Sequence, residues 1–159
     1  MRDNRCERIA ELLLKENEIN IIEKATYCVS FHEVTAIFDC YAADGIELTP
    51  IEKIMYAILY RIQSSGQCEI HIGIQEEIGN YRVDFLIKFK NKNRKIIIEC
   101  DGHDFHEKTK EQAKHDKERD RYFIANGYEV YHYTGSEIYN DFDNIEKQLK
   151  EIIAFGGDK

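Results

Sequence analysis

Residues 81–121, YRVDFLIKFKNKNRKIIIECDGHDFHEKTKEQAKHDKERDR, contain two apolar runs of strand length that are interrupted by acids. Asp84 falls in the first run, and Glu99 and Asp101 fall in the second. Runs of this kind build a core, where a carboxylate is costly unless it is paired or bound to a cation. The chain must therefore fold so that three acids leave the apolar interior while their neighbours stay in it.

Side chains on a strand alternate between its two faces. Over 81–89 this groups Tyr81, Val83, Phe85, Ile87 and Phe89 against Arg82, Asp84, Leu86 and Lys88. Over 95–101 it groups Ile96, Ile98 and Cys100 against Ile97, Glu99 and Asp101. The polar stretch KNKNR between the runs predicts a hairpin, which brings Asp84 toward Glu99 at strand ends beside Gly102. Two readings follow. In one, Asp84 pairs with Arg82 or Lys88, and Glu99 and Asp101 only mark the end of a strand. In the other, the carboxylates converge, and a divalent cation removes the cost of placing like charges together. Carboxylate oxygens suit Mg²⁺ or Mn²⁺, which keeps several waters and is completed by substrate phosphates.

The rest of the chain frames this segment. With 159 residues, 43% of them hydrophobic, one domain with a sizeable core is expected. Apolar runs fall short of the roughly 18–20 residues of a membrane span, and the N-terminus does not read as a secretory leader, so a cytoplasmic protein is expected. Five scattered cysteines, Cys6, Cys28, Cys40, Cys68 and Cys100, form no C-x-x-C pair and read as free thiols. The formal charge of −8 disfavours nucleic acid as a partner, but its distribution is uneven: residues 81–121 hold 12 Lys and Arg against 9 Asp and Glu.

Residues 4–26 read as one or two amphipathic helices, and residues 31–42 as a further helical stretch before a turn at Asp44–Gly45. Thr49 as N-cap, Pro50 at the first helical position and Glu52 in the first turn announce a helix through 62. Strands are expected at 68–75, 81–89, 95–101 and 128–133, with a helix over 107–126 closed by Asn126–Gly127 and a last helix over 140–155. The fold class is α/β (α+β), in the order helix, strand, strand, strand, helix, strand, helix. A mixed sheet flanked by helices is expected, behind a helical extension at residues 1–46.

The combination of TPIEKIMYAIL, Y-x-V-D-F, E-x-D-G, D-x-x-R-D, G-Y-E-V-Y and T-G-S-E-I between Thr49 and Asn140 resembles the restriction-endonuclease-like PD-(D/E)XK superfamily. Within it, the pattern is similar to the domains grouped with very-short-patch-repair endonucleases. The resemblance implies a nuclease-like domain over 47–159, in which Asp84, Glu99 and the backbone carbonyl of Cys100 are metal ligands. Glu52 matches an acid on the first helix that faces the same site. Asp101 helps to position the ion or its water, and His106 is a proton shuttle or phosphate contact. Asp116 and Arg119 match the helix motif and read as bracing that helix. His103, Lys108, Lys110 and Lys114 would meet the nucleic-acid backbone. The chain departs from the superfamily pattern at Asp101, which stands where a water-orienting lysine is usual, and at His132, which replaces an arginine.

Two functions of different class are consistent with this. One is a Mg²⁺- or Mn²⁺-dependent endonuclease acting on DNA in preference to RNA. The other is an inactive nuclease-fold module that binds nucleic acid or a protein partner. In either case residues 1–45 are the expected surface for a homodimer or a protein partner.

Overall fold

The computed structural model describes residues 38–43, 45–102 and 109–155. The helices expected over 4–26, most of the stretch over 31–42, Asp44, His103, His106, Lys108, Cys6 and Cys28 lie outside the described residues. The elements are α1 (Pro50–Ser64), β1 (Ile70–Ile74), β2 (Glu77–Ile78), β3 (Tyr81–Arg82), β4 (Phe85–Phe89), β5 (Lys95–Asp101), α2 (Lys110–Ala125), β6 (Tyr128–Thr134), α3 (Gly135–Asn140) and α4 (Phe142–Phe155). Residues 38–43 are helical as well.

The main sheet has the order β1-β4-β5-β6, antiparallel except for the parallel β5–β6 pair. A parallel pair needs a crossover, and α2 supplies it. One face of the sheet carries α1, α3 and α4 and packs Phe85, Ile87, Ile96, Ile98 and Tyr133 against Ile54, Ile58, Leu59, Ile138 and Leu149. Phe38 and Tyr41 reach this core through Tyr56. The opposite face carries α2 and packs Leu86 and Ile97 against Ile78, Val83 and Phe123. Ile96, Ile97 and Ile98 are all fully buried, as expected of a central strand covered on both sides.

The helix starts follow their sequence signals. Thr49 and Glu52 form a reciprocal capping box at α1 with Pro50 at its start, and Thr109 with Gln112 and Thr134 with Glu137 repeat the device at α2 and α3. Gly127, at φ +81°, takes the left-handed position just past α2 that a residue with a Cβ resists. Among the described residues no helix is long and apolar enough to cross a membrane.

The run expected as one strand over 81–89 is broken. It divides at Val83–Asp84 into β3 and β4, and β3 pairs with β2 in a separate ribbon. The two are halves of one bent hairpin: Ile74 pairs with Phe85, then the Gln75 N–H donates to the Asp84 carbonyl (2.9 Å) and the Val83 N–H to the Glu76 carbonyl (3.0 Å). Gln75 takes the left-handed region at the bend, φ +48°, a conformation costly for a residue with a Cβ. The bend swings the ribbon onto α2, where Tyr81 packs on Tyr122 and Phe123. It also reverses the expected alternation. Val83 lies in the α2 core with Leu86, not on the α1 side with Phe85 and Ile87. The last helix expected over 140–155 is α4, and a short helix that the sequence reading did not include, α3, precedes it.

Candidate functional site

The bend has a chemical result, because it ends the β4–β5 ladder at the Phe85–Ile98 pair and leaves Asp84 beyond it. The Cys100 N–H, which a longer ladder would have used, donates instead to Asp84 Oδ2 at 2.7 Å. With its carbonyl held by Gln75 and its carboxylate by Cys100, Asp84 is fixed at both ends of the residue. By alternation Glu99 and Asp101 lie on the α2 face of β5, while Cys100 packs toward the α1 core. The acids are thus not on a polar face, as the alternation had suggested. They occupy the end of a face whose middle is a second apolar core.

Glu99 is 4% exposed and lies close enough to Asp84 for the two carboxyls to hydrogen-bond when one is protonated. Burial, then the Asp84 charge, push its carboxyl up to about 8. Asp84 is raised too, by burial first, against the opposing Cys100 N–H and the Arg119 charge. Two buried carboxylates that cannot both ionise readily share a proton or a cation. Glu52, buried at the start of α1, caps its helix through the Thr49 N–H (2.9 Å), and its carboxyl is raised by burial and by the Asp84 charge. One side chain therefore serves both the helix terminus and the acid cluster.

On the α2 side, Arg119 Nη2 stands 3.7 Å from Glu99 Oε1. That contact is an ion pair beyond hydrogen-bond length, and both Glu99 Oε1 and Arg119 Nε are buried without a hydrogen-bond partner. His132, on β6 directly across from Glu99, bridges two acids, Nδ1 to Asp101 Oδ2 at 3.1 Å and Nε2 to Asp120 Oδ1 at 3.3 Å. The Asp101 contact, with further help from Asp120, raises the imidazole above its ordinary value, which favours the charged form between the two carboxylates.

The structure thus brings together Glu52, Asp84, Glu99 and Asp101. Lys110 and Lys114 are not part of the cluster: with Lys117 and Arg121 they form an exposed stripe on α2, about half a helical turn away from Arg119 and Phe123. Sequence reasoning missed the bridging role of His132, the part of Asp120 and the bend residue Gln75. It assigned Arg119 only to bracing α2. A usable signal was present, since Asp116, Arg119 and Phe123 share the i, i+3, i+7 stripe that a packed helix turns inward.

Among the described residues no three His, Cys, Asp or Glu side chains converge as a ready-made metal cage. A buried carboxylate with an unpartnered oxygen beside a half-buried one instead fits a Mg²⁺-type ion, which takes one or two carboxylates and leaves its other positions to water and phosphate.

A mixed four-stranded sheet between helix layers, with carboxylates gathered where its central strands end, defines an α/β protein with a restriction-endonuclease-like core. The family described as REase_MTES_1575 matches residues 57–153, more than half of the chain, and the chain belongs to this restriction endonuclease-like family. An uncharacterized protein of Haemophilus influenzae (strain ATCC 51907 / DSM 11121 / KW20 / Rd) is 32% identical over 90 residues, a match that spans 57% of this chain and 52% of that protein. No solved structure matches the chain.

Proposed function

We propose that the protein is a cytoplasmic metal-dependent endonuclease that hydrolyses phosphodiester bonds, with DNA preferred over RNA. The observation that carries this reading is the Asp84–Glu99 pair at the strand ends of a restriction endonuclease-like fold, with Asp84 half-buried, Glu99 buried and Glu99 Oε1 unpartnered. Asp84, Glu99 and the Cys100 carbonyl would hold Mg²⁺ or Mn²⁺. Such an ion supplies an activated water and neutralises charge on the phosphodiester. Asp84 is pre-positioned for this by the Cys100 N–H, which fixes Oδ2. Glu52 adds negative charge next to Asp84, and Asp101 is held beside the pair by His132. Lys110 and Lys114, facing outward, would meet phosphates that flank the cleaved bond, as would His103 and Lys108, and His106 would act as a proton shuttle or phosphate contact. Residues 1–45 remain the surface for a second copy or a protein partner. The narrower likeness to very-short-patch-repair enzymes belongs to the same reading.

A second reading has its own support. Asp101 stands where the superfamily carries lysine and is engaged by His132, which suits a module that keeps the fold for binding without catalysis. A thermal-shift titration with Mg²⁺ and Mn²⁺ on the wild type and Asp84→Ala, beside a cleavage assay on DNA and RNA, separates the two. Metal stabilisation and cleavage, both lost in Asp84→Ala, support the nuclease. Neither metal response nor cleavage by the wild type favours the binding module.

A further inference from the structure

We propose that Arg119 is the cation that meets the reacting phosphate, supplying from α2 the positive charge that Asp101 denies to β5. The inference rests on the nuclease reading and adds to it a residue otherwise assigned to bracing a helix.

The acid end of the sheet holds Glu52, Asp84, Glu99, Asp101 and Asp120, and a phosphodiester brings further negative charge. Several of the described cations can be set aside. His132 has both ring nitrogens committed, to Asp101 and Asp120. Lys88 is bound to Glu76 at 2.6 Å, and Arg94 is bound to Glu129 at the opposite end of β5. Lys110, Lys114, Lys117 and Arg121 line the outward stripe of α2. Arg119 differs from all of these. It touches Glu99 only at 3.7 Å, its Nε is buried without a partner, and its side chain is 20% exposed, so the residue is not sealed from solvent. A buried guanidinium held short of its hydrogen bonds is costly, and donors left in that state suit an incoming acceptor.

The chemistry agrees with the placement. A guanidinium is charged at every working pH, and its planar fork matches phosphate oxygens with two parallel N–H donors. Glu99 faces Arg119 through Oε1 and also adjoins Asp84, so it stands between the proposed metal site and this cation. α2 is held by its capping box and by Phe123 in the core, which makes Arg119 a preorganised charge of the type that favours a transition state.

The test uses the full chain as wild type, Arg119→Lys, Arg119→Ala and Arg119→Gln, with a short end-labelled DNA duplex as probe. Binding is read with Ca²⁺ over a salt series, and single-turnover cleavage with Mn²⁺. Arg119→Ala should lose about 10²–10³-fold in rate, the usual effect of removing one preorganised donor. Its log–log salt dependence of binding should flatten by about one phosphate contact. The Mn²⁺ thermal shift should persist. Methylguanidinium should restore part of the rate to Arg119→Ala but not to Arg119→Gln, whose side chain fills the space, and Arg119→Lys should lie between. Wild-type rate and salt slope in Arg119→Ala overturn the inference and leave the nuclease reading intact. So does a loss of rate that follows a lowered melting temperature without guanidinium rescue, which returns Arg119 to bracing. If the wild type binds the duplex without cleaving it, the salt slope alone decides. If it neither binds nor cleaves, both readings fall.

Discussion

The two ends of β5 handle charge in opposite ways. Just before its first residue, Arg94 donates Nε and Nη2 to the two Glu129 oxygens at 2.6 and 2.7 Å, and Nη1 to the Ile152 carbonyl at 2.8 Å. All three guanidinium nitrogens are used, and β5, β6 and α4 are tied together. At the other end, roughly 20 Å away along the strand, several acids gather around one under-used guanidinium, and Glu99 Oε1 has no hydrogen-bond partner. The charges at the Arg94 end are paired to completion, whereas those at the acid end are not. The difference separates a structural ion pair from a candidate site more clearly than residue type does, since both ends contain Arg and Glu.

The comparison can be broken most directly at the acid end. Glu99→Gln and Asp84→Asn should each abolish cleavage, a loss of at least about 10²–10³-fold, while leaving the melting temperature unchanged or higher because a buried like-charge contact is gone. Retained cleavage in both variants, measured on the same DNA, would sink the assignment of the site.

The next effect is a pH dependence of opposite sign at the two ends. Burial and mutual repulsion raise Glu99 from 4.5 to about 8, so the folded protein keeps a proton that the unfolded chain releases over that range. Stability from this end is therefore full below about pH 4.5 and is lost as pH rises toward 8, with a slope of up to about 1.4 kcal/mol per pH unit for one proton. His132, raised by Asp101, acts in the same direction. At the other end the Arg94 hydrogen bonds lower Glu129, whose contribution is present above the usual carboxylate range and lost as pH falls through its folded value. Denaturant midpoints of the metal-free protein across pH should show both limbs. Asp84→Asn should flatten the alkaline limb, and saturating Mn²⁺ should do the same by displacing the shared proton. A steep alkaline limb that survives both changes would contradict the coupling of Asp84 with Glu99.

Removing the structural pair should have a smaller effect on stability and almost none on chemistry. Arg94→Ala is expected to cost about 1–2 kcal/mol, after allowance for the partial exposure of Glu129, and to lower the melting temperature by several degrees. Its cleavage rate at low temperature should match the wild type. A specific loss of activity would mean that the two ends are coupled through β5.

The smallest change belongs to the outward face of α2. Lys114 makes only an exposed i,i+4 contact of 3.8 Å with Glu118, so Lys114→Ala should shift stability by less than about 0.5 kcal/mol. It should weaken duplex binding modestly while leaving the single-turnover rate in place. A large loss of rate would show that this stripe, and not Arg119, faces the reacting phosphate.

Much of the fold was legible because its signals are local. Thr49, Pro50 and Glu52 fixed the start of α1, the apolar run at 95–101 marked a strand, and Asn126–Gly127 closed α2. The bent hairpin was not legible. A run reading YRVDFLIKF satisfies strand alternation throughout, and nothing within it announces that Gln75, on the partner segment, turns through a left-handed conformation opposite Asp84. The short helix α3 was not read either, although Thr134 and Glu137 form at its start the same capping box that Thr49 and Glu52 form at α1.

The sequence by itself determined which acids exist, where α1 begins, and which acids share one face of β5. Alternation along one strand is a property of neighbouring residues, so it could place Glu99 and Asp101 together. Only the tertiary structure decided what stands beside them. The Cys100 N–H reaches Asp84 because the ladder stops at Phe85, Arg119 reaches Glu99 because α2 lies on that face, and His132 reaches Asp101 because β6 pairs in parallel. Each of these contacts joins residues far apart in the chain. Their proximity is set by packing between elements, which no local pattern encodes.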